Sequence, residues 1–248
     1  MRTLIYYVSF WGYLLFSALF ILWMGILRLL GRSQQIPAYA SRRAIGWGRT
    51  MVRLSGGDIQ FEGAENIPSE GGFVVCSNHQ GAFDIPLVVG FLPRPIGFVA
   101  KIELGRIPLL GYWMKQIGCL FLDRKNPRQG LAVMREGIAL LKGGAGLVVF
   151  PEGTRSGSDT MGPFRQGSLR MAVSAGVPVV PVTIIDSHKL REAQGWRIRP
   201  ASVRVVISPP IETQGMDRDT KKALLGEVRE IMAASLARGV GSAEAGSA

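Results

Sequence analysis

The chain has 248 residues, 47% of them hydrophobic, and carries a formal charge of +11 at pH 7. That length accommodates one sizeable core, and the positive excess draws phosphate-bearing partners: nucleic acid, anionic headgroups or phosphorylated small molecules. The basic residues do not interleave with aromatics as in RNA-recognition domains, so no nucleic-acid partner is expected. Cys76 and Cys119 lie in apolar runs outside any C-x-x-C pair. They read as buried reduced thiols, with no zinc site and no redox pair.

Residues 5–27 contain no charged side chain. As a helix this run is roughly 34 Å long, enough to cross a hydrocarbon core of about 30 Å. Tyr6, Tyr7, Trp11 and Trp23 suit an interface. Ala38-Tyr39-Ala40 resembles a signal-peptidase site. The apolar run, however, exceeds the usual signal core of about 7–15 residues, and Arg28 and Arg32 stand between the two. A retained anchor is therefore expected, and the arginines after it favour a cytoplasmic face for everything downstream. Residues 38–54 continue as an amphipathic helix. Ala44, Trp47, Gly48 and Met51 share one face, and Arg42, Arg49 and Arg53 share another. Such a helix suits either an anionic membrane surface or docking on the following domain.

Short apolar segments at residues 58–62, 73–77, 96–100, 117–122, 146–150, 177–185 and 203–207 read as strands. Helices are expected at 85–91, 128–142, 166–175 and 221–236. The alternation predicts an α/β fold, a mostly parallel central sheet flanked by helices behind an N-terminal membrane-anchoring segment. The expected organisation is an anchor at 1–55, one α/β domain at 56–236, and a flexible Gly/Ala/Ser-rich tail at 237–248. Ligands of such sheets bind beyond the carboxyl ends of the strands. Three polar clusters fall there: Asn78-His79, Asp123-Arg124, and Pro151-Glu152-Gly153-Thr154-Arg155.

Only two histidines exist in the chain, which makes His79 the leading candidate for a base acting near neutral pH. Asp84 lies five residues on, about 140° away if both stood on one regular helix. A turn through Gly81, with a helix starting near Asp84-Ile85-Pro86, brings the two together and lets the carboxylate orient the ring. The alternative is a helix-capping Asp84 beside an incidental loop histidine. No H-E-x-x-H and no G-x-S-x-G occur, which favours direct attack by a substrate hydroxyl over a covalent acyl-enzyme. Gly153, Thr154 and Arg155 offer backbone amides, a hydroxyl and a guanidinium fork, a set able to hold a phosphate or simply to form a polar turn. Lys101 and Arg124 follow separate strands and add cations.

Together these blocks resemble the glycerolipid acyltransferases, specifically the lysophosphatidate (1-acylglycerol-3-phosphate) acyltransferase family. The resemblance rests on Asn78-His79-x4-Asp84, on Gly118 through Arg124, on Phe150-Pro151-Glu152-Gly153-Thr154-Arg155-Ser156 and on Val177-Pro178-Val179-Val180-Pro181-Val182, with Lys101-Ile102-Glu103-Leu104 between the first two. It covers residues 58–210, and Cys119-Leu120 stands where branched residues are usual. The resemblance implies that His79 deprotonates the acceptor hydroxyl while Asp84 orients it. It implies that Lys101 and Arg155 bind the acceptor phosphate, with Arg124, Glu152, Gly153 and Thr154 shaping that site. The implied reaction moves an acyl group from acyl-CoA or acyl-carrier protein to the sn-2 hydroxyl of lysophosphatidate, giving phosphatidic acid, with no metal and no cofactor beyond the donor substrate. Anionic membrane lipids are expected as partners. Rival readings are a sibling enzyme acting on glycerol 3-phosphate, a lysophospholipid or an aminolipid, a non-catalytic membrane phospholipid-binding protein, and a hydrolase.

Overall fold

The computed structural model describes residues 1–245. Seven strands form one sheet: β1 (Asp58–Glu62), β2 (Phe73–Ser77), β3 (Ile96–Lys101), β4 (Leu120–Leu122), β5 (Gly146–Val149), β6 (Val179–Ile185) and β7 (Ser202–Ile207). Their order is β1-β7-β6-β2-β5-β3-β4. All pairings are parallel except that of β6 with β7.

Every residue of β2, β5 and β6 is buried. These strands are apolar along their whole length because helices cover both faces of the sheet, as parallel sheets require. Period-two alternation sorts β2 into two cores. Phe73 and Val75 pack with Val180, Val182 and Ile184, beneath Leu87 and Val88 of α3 (Asp84–Phe91). Val74 and Cys76 pack on the other face. Their neighbours there come from α6 (Pro127–Lys142), α7 (Arg170–Ala175) and α8 (Arg218–Ala245), through Val133, Met171, Leu224 and Val228. Both cysteines are free and buried. Burial pushes the Cys119 thiol up to about 12 and the Cys76 thiol further still.

The structure departs from sequence expectation at several boundaries. Two short helices, α4 (Ile102–Gly105) and α5 (Leu110–Gln116), occupy a stretch whose Gly105 and Pro108 interrupt any helical period. α5 runs almost into the expected strand at 117–122, and the chain turns at Gly118, φ 80°, so β4 keeps only three residues. α7 begins at Arg170 rather than 166. α8 continues through Ala245 instead of yielding to a tail at 237, and residues 246–248 of that expected tail lie outside the described residues.

α1 (Arg2–Leu29) and α2 (Ile36–Ser55) form an N-terminal hairpin closed by Met24, Leu27, Ile36 and Ala40. α1 is tied to the sheet domain along its length. Thr3 Oγ1 accepts from Ile198 N at 3.1 Å, and the Tyr7 hydroxyl donates to Trp196 O at 3.0 Å. Further along, Trp113 Nε1 donates to Ser17 Oγ at 2.8 Å, and Arg28 reaches Tyr112 and Gln116 at 2.8 and 3.1 Å. The opposite face is an unbroken exposed stripe at helical spacing: Leu4, Val8, Trp11, Leu15, Leu19, Leu22, Ile26 and Leu29. α2 seats on α3 through two glycines. A Cβ on Gly48 would stand 2.7 Å from Pro86 O, and one on Gly90 would stand 2.8 Å from Arg49 N. Arg49 Nε then donates to Gly90 O at 2.7 Å.

Candidate active site

The first polar cluster is built on the end of β2. The Asn78 side chain bridges to β6, donating to Ile184 O at 2.8 Å and accepting from Ile184 N at 2.7 Å. The next residue, His79, is thereby launched from a fixed point. Its own N–H donates to Glu152 Oε1 at 2.8 Å, and its carbonyl accepts from Ser156 N at 2.8 Å. The chain turns through Gly81 and enters α3 at Asp84. Asp84 Oδ2 accepts from Gly81 N at 2.9 Å and faces His79 Nδ1 at 2.7 Å. Asp84 is fully buried and binds the turn and the imidazole instead of capping its helix, so the turn expected from Gly81 forms. A carboxylate only accepts, so Nδ1 carries the ring proton and Nε2 keeps a lone pair.

Ser187, just past β6, donates its hydroxyl to the other Asp84 oxygen, and Ser187 N donates to Gln80 Oε1 at 3.0 Å. Phe150 stacks on the His79 ring, centroids 4.1 Å apart and planes at 18°. Backbone, hydroxyl and ring contacts thus fix both members of the pair.

The second cluster follows β5. Glu152 is buried, and its second oxygen accepts from Gly162 N at 2.7 Å. Glu152, expected to shape the phosphate site, is spent on two backbone amides and orders the loop from behind. Gly153 has φ 70°, and a Cβ there would stand 2.7 Å from Arg165 Nε and 3.0 Å from Arg124 Nη1. Arg124 Nη1 donates to Gly153 O at 2.8 Å, and Arg165 Nε to Glu152 O at 3.3 Å. Two guanidinium groups therefore flank one glycine. Partial burial, then the Arg165 charge, hold Arg124 below its ordinary value, with Glu103 opposing. Such a pair favours an anion between them. Arg155 is exposed and makes no hydrogen bond within the described residues.

His79, Lys101, Arg124, Gly153, Thr154 and Arg155 all line one cavity of about 890 Å³, while Asp84 and Glu152 support it from behind. Most of the remaining wall is apolar, drawn from the hairpin (Tyr6, Phe10, Trp47) and from Ile85, Phe98 and Trp113. Sequence reasoning missed Ser187 and Arg165, and it missed that the hairpin walls the cavity. Ser187 was within reach of the strand-end rule, since β6 runs parallel to β2 and ends on the same edge. Arg165 belongs to no strand end.

Residues 58–185 match the family model described as Acyltransferase. The chain belongs to the acyltransferase family. Among relatives of this acyltransferase-family chain, the chloroplastic 1-acyl-sn-glycerol-3-phosphate acyltransferase LPAT1 of Arabidopsis thaliana is 34% identical over 180 residues, 72% of this chain and 49% of its own length. The alpha enzyme of that name from Homo sapiens is 33% identical over 72% of this chain and 64% of its own. The one from Pseudomonas aeruginosa is 34% identical over 66% and 64%. The chain thus spans about half to two thirds of the length of the curated relatives it matches. The crystal structure of the 1-acyl-sn-glycerophosphate acyltransferase PlsC from Thermotoga maritima superposes with a TM-score of 0.82 at 31% identity, covering 96% of this chain and 94% of that one. The matched span of the family model holds His79 and Asp84 together with Lys101, Arg124 and Arg155.

Proposed function

We propose that this acyltransferase-family chain moves a fatty acyl group from a thioester to the sn-2 hydroxyl of lysophosphatidate, giving phosphatidic acid. One observation carries the reading: the His79–Asp84 pair, 2.7 Å apart, opens on the same cavity as Lys101, Arg124 and Arg155. A general base therefore shares one cavity with three cations that can hold a phosphate and with an apolar wall suited to acyl chains. His79 Nε2 takes the proton of the acceptor hydroxyl. The oxygen attacks the thioester carbonyl, the C–S bond breaks, and the thiolate leaves as His79 returns the proton. Asp84 holds the ring in the required tautomer and stabilises the transient imidazolium. Cys119 lines the cavity too, but its raised pKa keeps it protonated and a poor nucleophile, which supports direct transfer.

The names of the relatives above and the paired guanidinium groups support a phosphomonoester acceptor. The donor is acyl-CoA or acyl-carrier protein. We assign the chain to a membrane surface, with α1 lying along it: a stripe exposed over the helix's whole length, and a domain bound to its other face at both ends, suit insertion parallel to the bilayer. The arginines after α1 favour the cytoplasmic side.

The test is an acceptor panel. Purified protein is offered a long-chain acyl thioester with lysophosphatidate, glycerol 3-phosphate, lysophosphatidylcholine or a lyso-aminolipid, and the lipid product is identified by mass spectrometry. Phosphatidic acid from lysophosphatidate at the highest kcat/KM is expected. Preference for another acceptor moves the chain to a sibling enzyme, and free fatty acid without acceptor consumption marks a hydrolase.

A further inference from the structure

A second cluster lies outside the cavity. Asp159, Asp186 and His188 each offer one ligand atom, and these atoms lie within 4.8 Å of one another. Asp159 belongs to the loop that continues from Arg155, while Asp186 and His188 flank Ser187 beyond β6. His188 is only 7% exposed, yet its Nδ1 has no hydrogen-bond partner, and neither has Asp159 Oδ1, also buried. Those two atoms face each other at 3.6 Å, too far for a hydrogen bond. In a tetrahedral zinc site with bonds of about 2.0–2.1 Å, neighbouring ligand atoms stand roughly 3.3 Å apart. Asp186 is held in the left-handed region, φ 69°, a conformation rare outside glycine.

Lys189 Nζ meets Asp186 Oδ1 at 2.8 Å and neutralises one carboxylate. The second carboxylate remains, with a buried imidazole nitrogen aimed at it. Two buried polar atoms that make no hydrogen bond, even to each other at 3.6 Å, are costly unless something binds them. We infer that Asp159, Asp186 and His188 form a site for a divalent transition-metal ion of the zinc class, with one imidazole nitrogen and two carboxylate oxygens as ligands and water completing the shell. That mixed donor set suits zinc better than magnesium, which prefers oxygen alone. No sequence motif announces it, because the ligands come from two segments joined only by the fold.

The site's place gives the ion a task. On one side, Ser156 N and Gly157 N hold the carbonyls of His79 and Gln80. On the other, Ser187 holds Asp84. A cation joining Asp159 to Asp186 and His188 ties together the two segments that brace the His79–Asp84 pair. It touches no reacting atom, so its residues are positioning residues.

The experiment uses the untagged full-length chain in detergent, stripped with chelator and dialysed against zinc chloride. Metal is counted by mass spectrometry, affinity is measured by calorimetry and the melting temperature is recorded. One zinc per chain and a higher melting temperature are expected, with magnesium giving neither. Asp159→Asn and His188→Gln should each weaken zinc binding more than about tenfold, since even the loss of an outer-shell partner costs roughly 10- to 100-fold. Asp159 is part-exposed and its replacement nearly isosteric, so Asp159→Asn remains interpretable if His188→Gln does not fold. His79→Ala should bind zinc as the parent does. Absence of stoichiometric zinc, zinc that survives Asp159→Asn, or zinc that is lost with His79→Ala each overturns the assignment.

Discussion

The strand-end site and the N-terminal hairpin are held by different balances of forces. At the ends of β2, β5 and β6, order comes from directional bonds: Asn78 to β6, Asp84 to His79, Gly81 and Ser187, Glu152 to two amides. At the hairpin, shape does more, with Gly48 and Gly90 letting backbones touch and Met24, Leu27, Ile36 and Ala40 filling the gap, and a few spaced hydrogen bonds pin α1 to the domain. The division follows from dielectric and task. A buried carboxylate must be fully hydrogen-bonded to be tolerated, and once it is, it holds an imidazole in one geometry. A helix with an apolar outer stripe needs close packing on its inner side, where only a few polar bonds set its position. The cavity lies where the two regions meet, with His79 and the strand-end cations on one side and an apolar wall drawn from both regions.

Substitutions at four positions sharpen that contrast. The largest effect falls on the base. His79→Ala should lower kcat by about 10²–10⁴ while lysophosphatidate still binds, read by turnover and by calorimetry. Near-normal turnover would remove His79 from the chemistry. Next is Arg155→Ala, expected to weaken apparent affinity for lysophosphatidate roughly 10- to 150-fold, the worth of one charged hydrogen bond. Arg155→Lys should fall between, because an ammonium lacks the bidentate fork. An acceptor without a phosphomonoester should change far less, and an unaltered KM for lysophosphatidate would place phosphate recognition on Lys101, Arg124 and Arg165.

The third substitution breaks the hairpin instead. Gly48→Leu drives a side chain into backbone atoms of α3, and overpacking costs about 1–3 kcal/mol. A fall in melting temperature of roughly 2–12 °C is expected, with turnover per folded molecule little changed. An unchanged melting temperature would show that α2 does not need close seating. Smallest is Phe150→Leu, which removes the ring stacked on His79. Such stacking is worth about 0.5–1.5 kcal/mol, so kcat should drop roughly two- to thirteenfold with binding preserved. A larger loss would mean that Phe150 also shapes the cavity.

Much of the site was legible in the residues. His79 and Asp84 stood out because histidine is scarce and because Gly81 and Pro86 announce a turn into a helix. Lys101, Arg124 and Gly153 to Arg155 stood out because they follow apolar strands. How Glu152 shapes the site was not legible, because its type points to a ligand or to a buried scaffold alike, and only the amides of His79 and Gly162 decide between them. α4 and α5 escaped because short helices are stabilised by what they pack against, not by their own pattern.

By itself the sequence determined the α/β alternation, the edge of the sheet on which chemistry gathers, the candidate imidazole and carboxylate, and the apolar character of α1. Those properties are local: periodicity, turn residues and the scarcity of histidine. Only the tertiary structure decided that Ser187 completes the hold on Asp84, that Arg165 joins Arg124 across Gly153, and that α1 lies along the domain as a wall of the cavity. It alone brought Asp159 to His188. Each of these joins residues from separate segments of the chain, and such meetings follow from the crossing order of the strands and from where glycine lets helices approach, which no window of sequence contains.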